Sequence, residues 1–170
     1  MPTLDQVAIA QALDAWADHV AATIAAEPHA PLGLVGLISH GDVLAQRLIH
    51  TLKNKGCAAQ YGAIDITLYR DDLDLRTSRP SLRSSYLPYS TDGMHLILVD
   101  DVIQSGRTAR AALETIFEYG RPERVELHCL VDRGKRELPI QPDYTAFHLD
   151  SAGDIVVHLQ EIDGEDAVIY

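Results

Sequence analysis

Between Leu96 and Leu113 the chain reads LILVDDVIQSGRTARAAL: an unbroken apolar run, two adjacent aspartates, a short turn holding Gly106, and a helix-forming stretch. An apolar run without alternation is what a strand buried on both faces requires. Such strands belong to parallel sheets, whose neighbours are joined by crossover helices. The same unit recurs along the chain. Leu32 to Ile38 (LGLVGLI) is a second unbroken run, and residues 42 to 53 follow it with Val43, Leu44, Leu48 and Leu52 on one helical face and Gly56 as a C-cap. Ala63 to Tyr69 (AIDITLY), His95 to Val99 (HLILV) and Val125 to Val131 (VELHCLV) read as further strands, and residues 108 to 119 as a helix closed by Gly120. The alternation predicts an α/β fold, a central mainly parallel sheet flanked by helices.

Ahead of the first unit, Thr3 and Gln6 can form a capping box, and Leu13, Trp16, Val20 and Ile24 recur at helical spacing. Residues 4 to 26 therefore read as one amphipathic helix with Trp16 in the core, ended by Pro28 and Pro31. Ile155 to Leu159 and Ala167 to Tyr170 read as short strands or an edge hairpin. Residues 70 to 93 carry Pro80, Pro88 and several serines without periodicity, which marks a long loop. With 170 residues, 46% of them hydrophobic and 23% charged, the chain reads as a single domain over residues 1 to 170.

No uncharged apolar run reaches the roughly 18 residues of a membrane span, and the N-terminus lacks the basic start and apolar core of a signal peptide. A cytoplasmic protein without a membrane partner is expected. Cys57 and Cys129 are too few for a disulfide framework and too far apart for a C-x-x-C motif, and read as reduced, half-buried thiols. The net charge of -11 is unevenly divided. Residues 1 to 46 and 137 to 170 contain no Lys or Arg, so every fixed positive charge lies between Arg47 and Arg136. An anionic ligand must be met there, and the chain as a whole repels a polyanion.

In an open parallel sheet, ligands bind beyond the carboxyl ends of the strands, and a glycine turn entering a helix offers free N–H groups to an anion. Ser105 and Thr108 add hydroxyls there, while Asp100 and Asp101 would repel a phosphate and suit sugar hydroxyls instead. A sugar phosphate meets both demands; a solvated aspartate pair beside a plain turn is the alternative. A phospho-acceptor receiver domain also ends its first strand in an acidic pair, but places that strand near the N-terminus.

Leu96 to Thr108 resembles the PRPP-binding motif of the type I phosphoribosyltransferases, two acidic residues followed by a short loop ending in G-R-T. IDITLYRDDL (Ile64 to Leu73), LVDRGKRELPI (Leu130 to Ile140) and the ending EIDGEDAVIY resemble, in order, the PyrR family of pyrimidine operon regulators. The resemblance covers nearly the whole chain. It implies a type I phosphoribosyltransferase fold with a small hood, and uracil phosphoribosyltransferase activity that turns uracil and PRPP into UMP and pyrophosphate. It also implies nucleotide-dependent binding to leader mRNA in many relatives, and homo-oligomers of two subunits or more. A sensing module that binds PRPP or UMP with little turnover is the rival reading.

The resemblance places the ribose hydroxyls on Asp100 and Asp101 and the 5′-phosphate on Ile103, Gln104, Ser105, Gly106, Arg107 and Thr108. It places pyrophosphate on Ser39, His40 and Gly41, and the nucleobase near Asp132, Arg133 and Gly134. Arg70, with Arg76, Arg79 and Arg83, would lie in a loop that closes over the site, or would pair with Asp71, Asp72 and Asp74 in solvent. Asp65 is a strand aspartate facing outward or a site residue; His128 and His158 read as packed or surface imidazoles. Mg2+ is expected to arrive with PRPP, with no metal cage in the protein. Relatives usually carry Thr-Arg-Gly where this chain has Ser39-His40-Gly41, so a fixed guanidinium has become an imidazole with an ordinary pKa of about 6.5. In the phosphate loop Gln104 and Ser105 stand where Tyr-Thr is common. RNA would have to be met by Arg47, Lys53, Lys55 and the basic turn from Arg133 to Arg136, against the charge of both chain ends.

Overall fold

The computed structural model describes residues 3 to 67 and 85 to 170. Its centre is β4 (His95–Ile103), the strand that carries the aspartate pair. Around it β2 (Leu32–Leu37), β3 (Gln60–Ile64), β5 (Arg124–Asp132) and β6 (Tyr144–His148) complete a sheet in the order β3-β2-β4-β5-β6. Every neighbouring pair in it is parallel. Side chains alternate across a strand, so each unbroken apolar run feeds two cores at once. Leu34, Ile97 and Val99 meet α1 (Gln6–Ala26) and α2 (His40–Asn54) on one face. Val35, Leu96 and Leu98 meet α3 (Arg107–Phe117) on the other.

A second, small sheet ties the chain ends together. β1 (Thr3–Leu4) pairs with β8 (Ala167–Ile169), which pairs with β7 (Val156–His158), all antiparallel, and α4 (Gln160–Asp163) joins β7 to β8. This layer is the expected hood, and the predicted terminal hairpin forms part of it.

Several expectations are corrected. Thr3 is spent in β1, so the capping box does not form; Asp5 caps α1 by accepting the Ala8 N–H at 2.9 Å. The strand expected over 63 to 69 is instead β3 at 60 to 64. Beyond it Asp65 accepts from the Thr67 N–H and hydroxyl, at 2.9 and 2.5 Å, a local turn that replaces the ladder. Leu68, Tyr69 and the loop through Ser84 lie outside the described residues, and with them Arg70, Arg76, Arg79 and Arg83. β4 runs on through Asp101 to Ile103, four residues past its expected end. α3 stops at Phe117; Gly120, at φ +143°, packs so tightly on the Thr91–Asp92 turn that a Cβ would sit 2.7 Å from Thr91 Oγ1. β6 was not expected at all, because YTAFH is a half-buried edge strand with no apolar run. Cys129 is fully buried beneath the aspartate pair, whereas Cys57 is half-buried.

Trp16 is fully buried and donates its indole N–H to His128 Nδ1 at 3.0 Å. An indole nitrogen can only donate, so Nδ1 must be unprotonated and His128 is the neutral tautomer with its proton on Nε2. That proton goes to Glu126 Oε2 at 2.9 Å. Burial pushes the His128 pKa down, and the carboxylate beside it does not reverse this. Among the described residues no helix is long and apolar enough to cross a membrane.

Candidate active site

The carboxyl ends of β2 and β4 open onto a cleft of about 320 Å³ lined by Ser39, His40, Ile66, Asp100, Asp101 and Thr108. Two stretches far apart in sequence, residues 39 to 41 and 100 to 108, are thus brought together by strand pairing. Gly41 lets them approach: a Cβ there would lie 2.3 Å from the Val99 carbonyl oxygen. The Ile38–Ser39 peptide bond is cis. His40 opens α2 and its Nε2 lies 2.9 Å from Asp163 Oδ2 of α4.

Asp100 is buried and accepts the Asp101 N–H at 3.0 Å, while Asp101, half-exposed, accepts the Val102 N–H at 2.9 Å. These bonds fix both carboxyl groups on the rim of the cleft. Burial first, then the charges of Asp100 and Asp101, push the Cys129 thiol below them well up, so it stays a thiol. After Ile103 the chain turns at Gly106, whose φ of +92° glycine adopts without strain. Gly106 also lies close against Leu138 and Ile140, where a Cβ would come within 3.3 Å of the Ile140 side chain. As N-cap of α3 it brings no side-chain acceptor, and Ser105 Oγ takes only the Arg107 N–H, at 3.3 Å. The remaining first-turn N–H groups lie in the helix end that sits at the cleft, a natural seat for an anion.

One strand over, Asp132 sits opposite Ile103 in the β4–β5 register, and the Arg133 N–H donates to the Ile103 carbonyl at 3.1 Å. Asp132, Arg133 and Gly134 line a neighbouring hollow of about 500 Å³ with Lys135 and His148. Arg136 fastens this turn to the phosphate loop. Its guanidinium donates to both Asp132 oxygens, at 2.9 and 2.7 Å, and to the Gln104 carbonyl at 3.0 Å. Burial raises the Asp132 pKa, but Arg136 and the Gly134 N–H outweigh it and hold the carboxyl below its ordinary range. Arg133 donates to the Gly153 carbonyl at 2.8 Å and keeps a buried Nε–H without a partner among the described residues. Arg136 and Asp163, like Ile66 and His148 in the two linings, are residues that sequence reasoning did not place here. Arg136 was visible as an Asp-x-x-x-Arg spacing, Asp163 only as one acid among several near the C-terminus.

The basic residues expected to serve RNA are largely engaged within the chain. Arg47 is bound to Glu161 and Asp166, Lys55 to Asp14 and Asp18, and Lys135 to the Ser151 carbonyl. The basic turn is therefore a bonded structure rather than a solvated one.

Residues 3 to 161 match the family model described as a phosphoribosyl transferase domain. The chain is 55% identical over 167 residues to the "Bifunctional protein PyrR" of Akkermansia muciniphila, covering 98% of this chain and 93% of that one. It is 44% identical over 140 residues to the protein of the same name from Thermus aquaticus, covering 81% and 77%. Among solved structures, the hypoxanthine phosphoribosyltransferase of Trypanosoma cruzi superposes with a TM-score of 0.72 at 17% identity, covering 96% of this chain and 92% of that one. That likeness is one of fold. The family model and the PyrR relatives make this chain a member of the PyrR family of type I phosphoribosyltransferases.

Proposed function

We propose that the chain, as a single cytoplasmic domain, transfers the phosphoribosyl group of PRPP to uracil, giving UMP and pyrophosphate. The observation that supports this most is the convergence of Asp100, Asp101, Thr108 and the 39–41 turn on one cleft. In the reaction the uracil N1–C1′ bond forms, the C1′–oxygen bond to pyrophosphate breaks, and the N1 proton leaves to solvent. The ribose ring carries positive charge as the bonds exchange. Asp100 and Asp101, already oriented by backbone N–H groups, accept the ribose hydroxyls and stabilise that charge without reorganising. Residues 103 to 108 take the 5′-phosphate on the first turn of α3. Ser39, His40 and Gly41 take the pyrophosphate, and Asp132, Arg133 and Gly134 border the base.

Among the described residues no cluster of three or more ligating side chains could hold a metal. The donor set fits Mg2+ carried on the oxygens of PRPP and water, where it would neutralise the leaving pyrophosphate.

Purified protein incubated with PRPP, Mg2+ and each nucleobase in turn tests the reading. UMP from uracil, with little product from other bases, is expected; no product from any base would overturn it. The sensing alternative draws support from His40 standing in place of a fixed guanidinium, and predicts PRPP binding with negligible UMP. A homodimer or larger assembly fits the reading. RNA binding would leave a strongly salt-dependent affinity, which the engagement of Arg47, Lys55 and Arg136 argues against.

A further inference from the structure

The hood touches the cleft through one carboxylate. Asp163 Oδ2 accepts both the Leu159 N–H, at 2.8 Å, and His40 Nε2, at 2.9 Å. An ionised carboxylate only accepts, so Nε2 carries the proton, and Nδ1 is left without a protein partner among the described residues on a side chain that lines the cleft. Asp163 is itself firmly placed. Two turns further along α2, Arg47 binds Glu161 at the start of α4 and Asp166 just after it, and Asp166 Oδ1 also accepts the Gln160 N–H at 2.8 Å. α4 is thereby clamped to α2 at two points, and the second of them is the ring of His40.

We infer that Asp163 is a positioning residue for phosphoribosyl transfer: it holds the His40 imidazole by Nε2 so that Nδ1 faces the leaving pyrophosphate, and the pair does the work of a fixed guanidinium. The inference rests on the transfer reading given above. A neutral ring shows the cleft a lone pair, which repels a pyrophosphate oxygen. A protonated ring shows it a second N–H, and Asp163 balances the positive charge from the far side. The pair supplies direction and charge, and makes or breaks no bond. Other charged groups around the ring are Glu161 on α4, His158 on β7, Asp42 in the first turn of α2, and Asp100 and Asp101 across the cleft. His158 adjoins Asp163 and the rest are acids, so among the described residues the cation offered to the ligand from this side is the His40 ring.

Calorimetric titration with pyrophosphate and Mg2+, over about pH 6 to 9 around the imidazole range, decides the matter for four proteins: wild type, Asp163→Asn, His40→Arg, and the double variant. Asp163→Asn keeps an oxygen for the Leu159 N–H, and thermal unfolding checks that the hood stays formed. The titration of pyrophosphate itself is common to all four. Wild-type affinity should fall as pH rises through the imidazole range. Asp163→Asn should weaken binding roughly tenfold at the acid end, the scale of one lost opposite charge at hydrogen-bond distance. In the arginine background the same substitution should cost little, because the guanidinium needs no partner to stay charged. Asp163→Asn matching wild type at every pH would overturn the inference, as would an undiminished loss in the arginine background, or a wild type that binds no pyrophosphate. Parallel UMP assays keep the two readings apart: a wild type that binds pyrophosphate and forms no UMP overturns the transfer reading alone, and the binding comparison still decides the role of Asp163.

Discussion

His40 and His128 each have Nε2 at 2.9 Å from a carboxylate, His40 at the mouth of the cleft and His128 in the core between sheet and α1. They differ in the other ring nitrogen. At His128 it accepts the indole N–H of Trp16, with the rings of Tyr144 and His19 packed at a tilt beside it. Protonation would set two N–H groups against each other, so His128 is locked neutral. At His40 the second nitrogen has no protein partner among the described residues, and the side chain lines the cleft. One motif thus serves two ends: filled on both sides it holds the fold, and left open on one side it presents charge to a ligand.

The largest effect is expected where the pair is buried. Glu126 accepts from His128 and is ion-paired with Arg124, whose Nη2 lies 2.7 Å away; His95 Nε2 lies 3.1 Å away without hydrogen-bond alignment. Glu126→Ala leaves the buried His128 N–H without its acceptor and removes the Arg124 ion pair, and should lower stability in urea unfolding by about 3 kcal/mol, the upper end for a buried donor left unsatisfied. The UMP-forming rate per folded molecule should be unchanged. A loss of activity at full stability would mean that the core pair is coupled to the site.

Asp101→Asn reverses the pattern. The amide keeps an oxygen for the Val102 N–H, so the midpoint of unfolding should hold. The charge facing the ribose is lost, and kcat/KM for PRPP should fall about 10²–10³-fold, the range measured when one preorganised electrostatic group is removed. Unchanged kinetics would make the aspartate pair a structural feature of the strand end.

Trp16→Phe is a subtler probe of the lock. It preserves most of the apolar contact, leaves Nδ1 buried without its donor, and should cost about 1–3 kcal/mol at neutral pH. Its pH dependence is more telling. The His128 pKa is depressed in the fold, so its contribution to stability is complete above the ordinary imidazole range and is lost as pH falls below it. Hydrogen bonding by His128, opposed by burial and aided by His95 and Arg124, holds Glu126 at about 2. Its contribution is complete above the ordinary glutamate range and is lost as pH falls toward about 2. Both make acid destabilising. With phenylalanine at position 16, Nδ1 can take the proton, so the loss beginning near the imidazole range should shrink while the lower one remains. Equal slopes for the two proteins between about pH 7 and 5, the window below the imidazole value, would show that the indole is not what keeps His128 neutral.

The frame that carries these pairs was legible because it rests on local signals. LGLVGLI and, after His95, LILV have no polar residue until the strand has crossed the core, and the aspartates and Gly106 follow where a ligand-binding end should be. β6 was not legible, since a half-buried edge strand needs no apolar run and leaves no mark. Neither was the partner of either histidine's environment. Trp16 and His128 are 112 residues apart and His40 and Asp163 are 123 apart, and no spacing rule links side chains that only the sheet order brings together. Asp132 and Arg136 are the intermediate case. Their four-residue spacing suggests a helical pair, but they sit in a turn and close it onto the phosphate loop.

The smallest stability effect should come from His40→Gln. The ring is partly exposed and its partner lies on the surface, where an ion pair is screened and adds little to the fold. Glutamine can still donate an N–H toward Asp163, and α4 remains clamped by Arg47. The unfolding midpoint should therefore match wild type, and so should the loss of stability below the imidazole range, which belongs to His128. Pyrophosphate binding should weaken at the acid end of the range and lose its pH dependence beyond that of the ligand, since glutamine cannot become a cation. If His40→Gln instead flattened the acid limb of the stability curve, the two histidines would be exchanging roles, and the division between a closed core pair and an open cleft pair would fail.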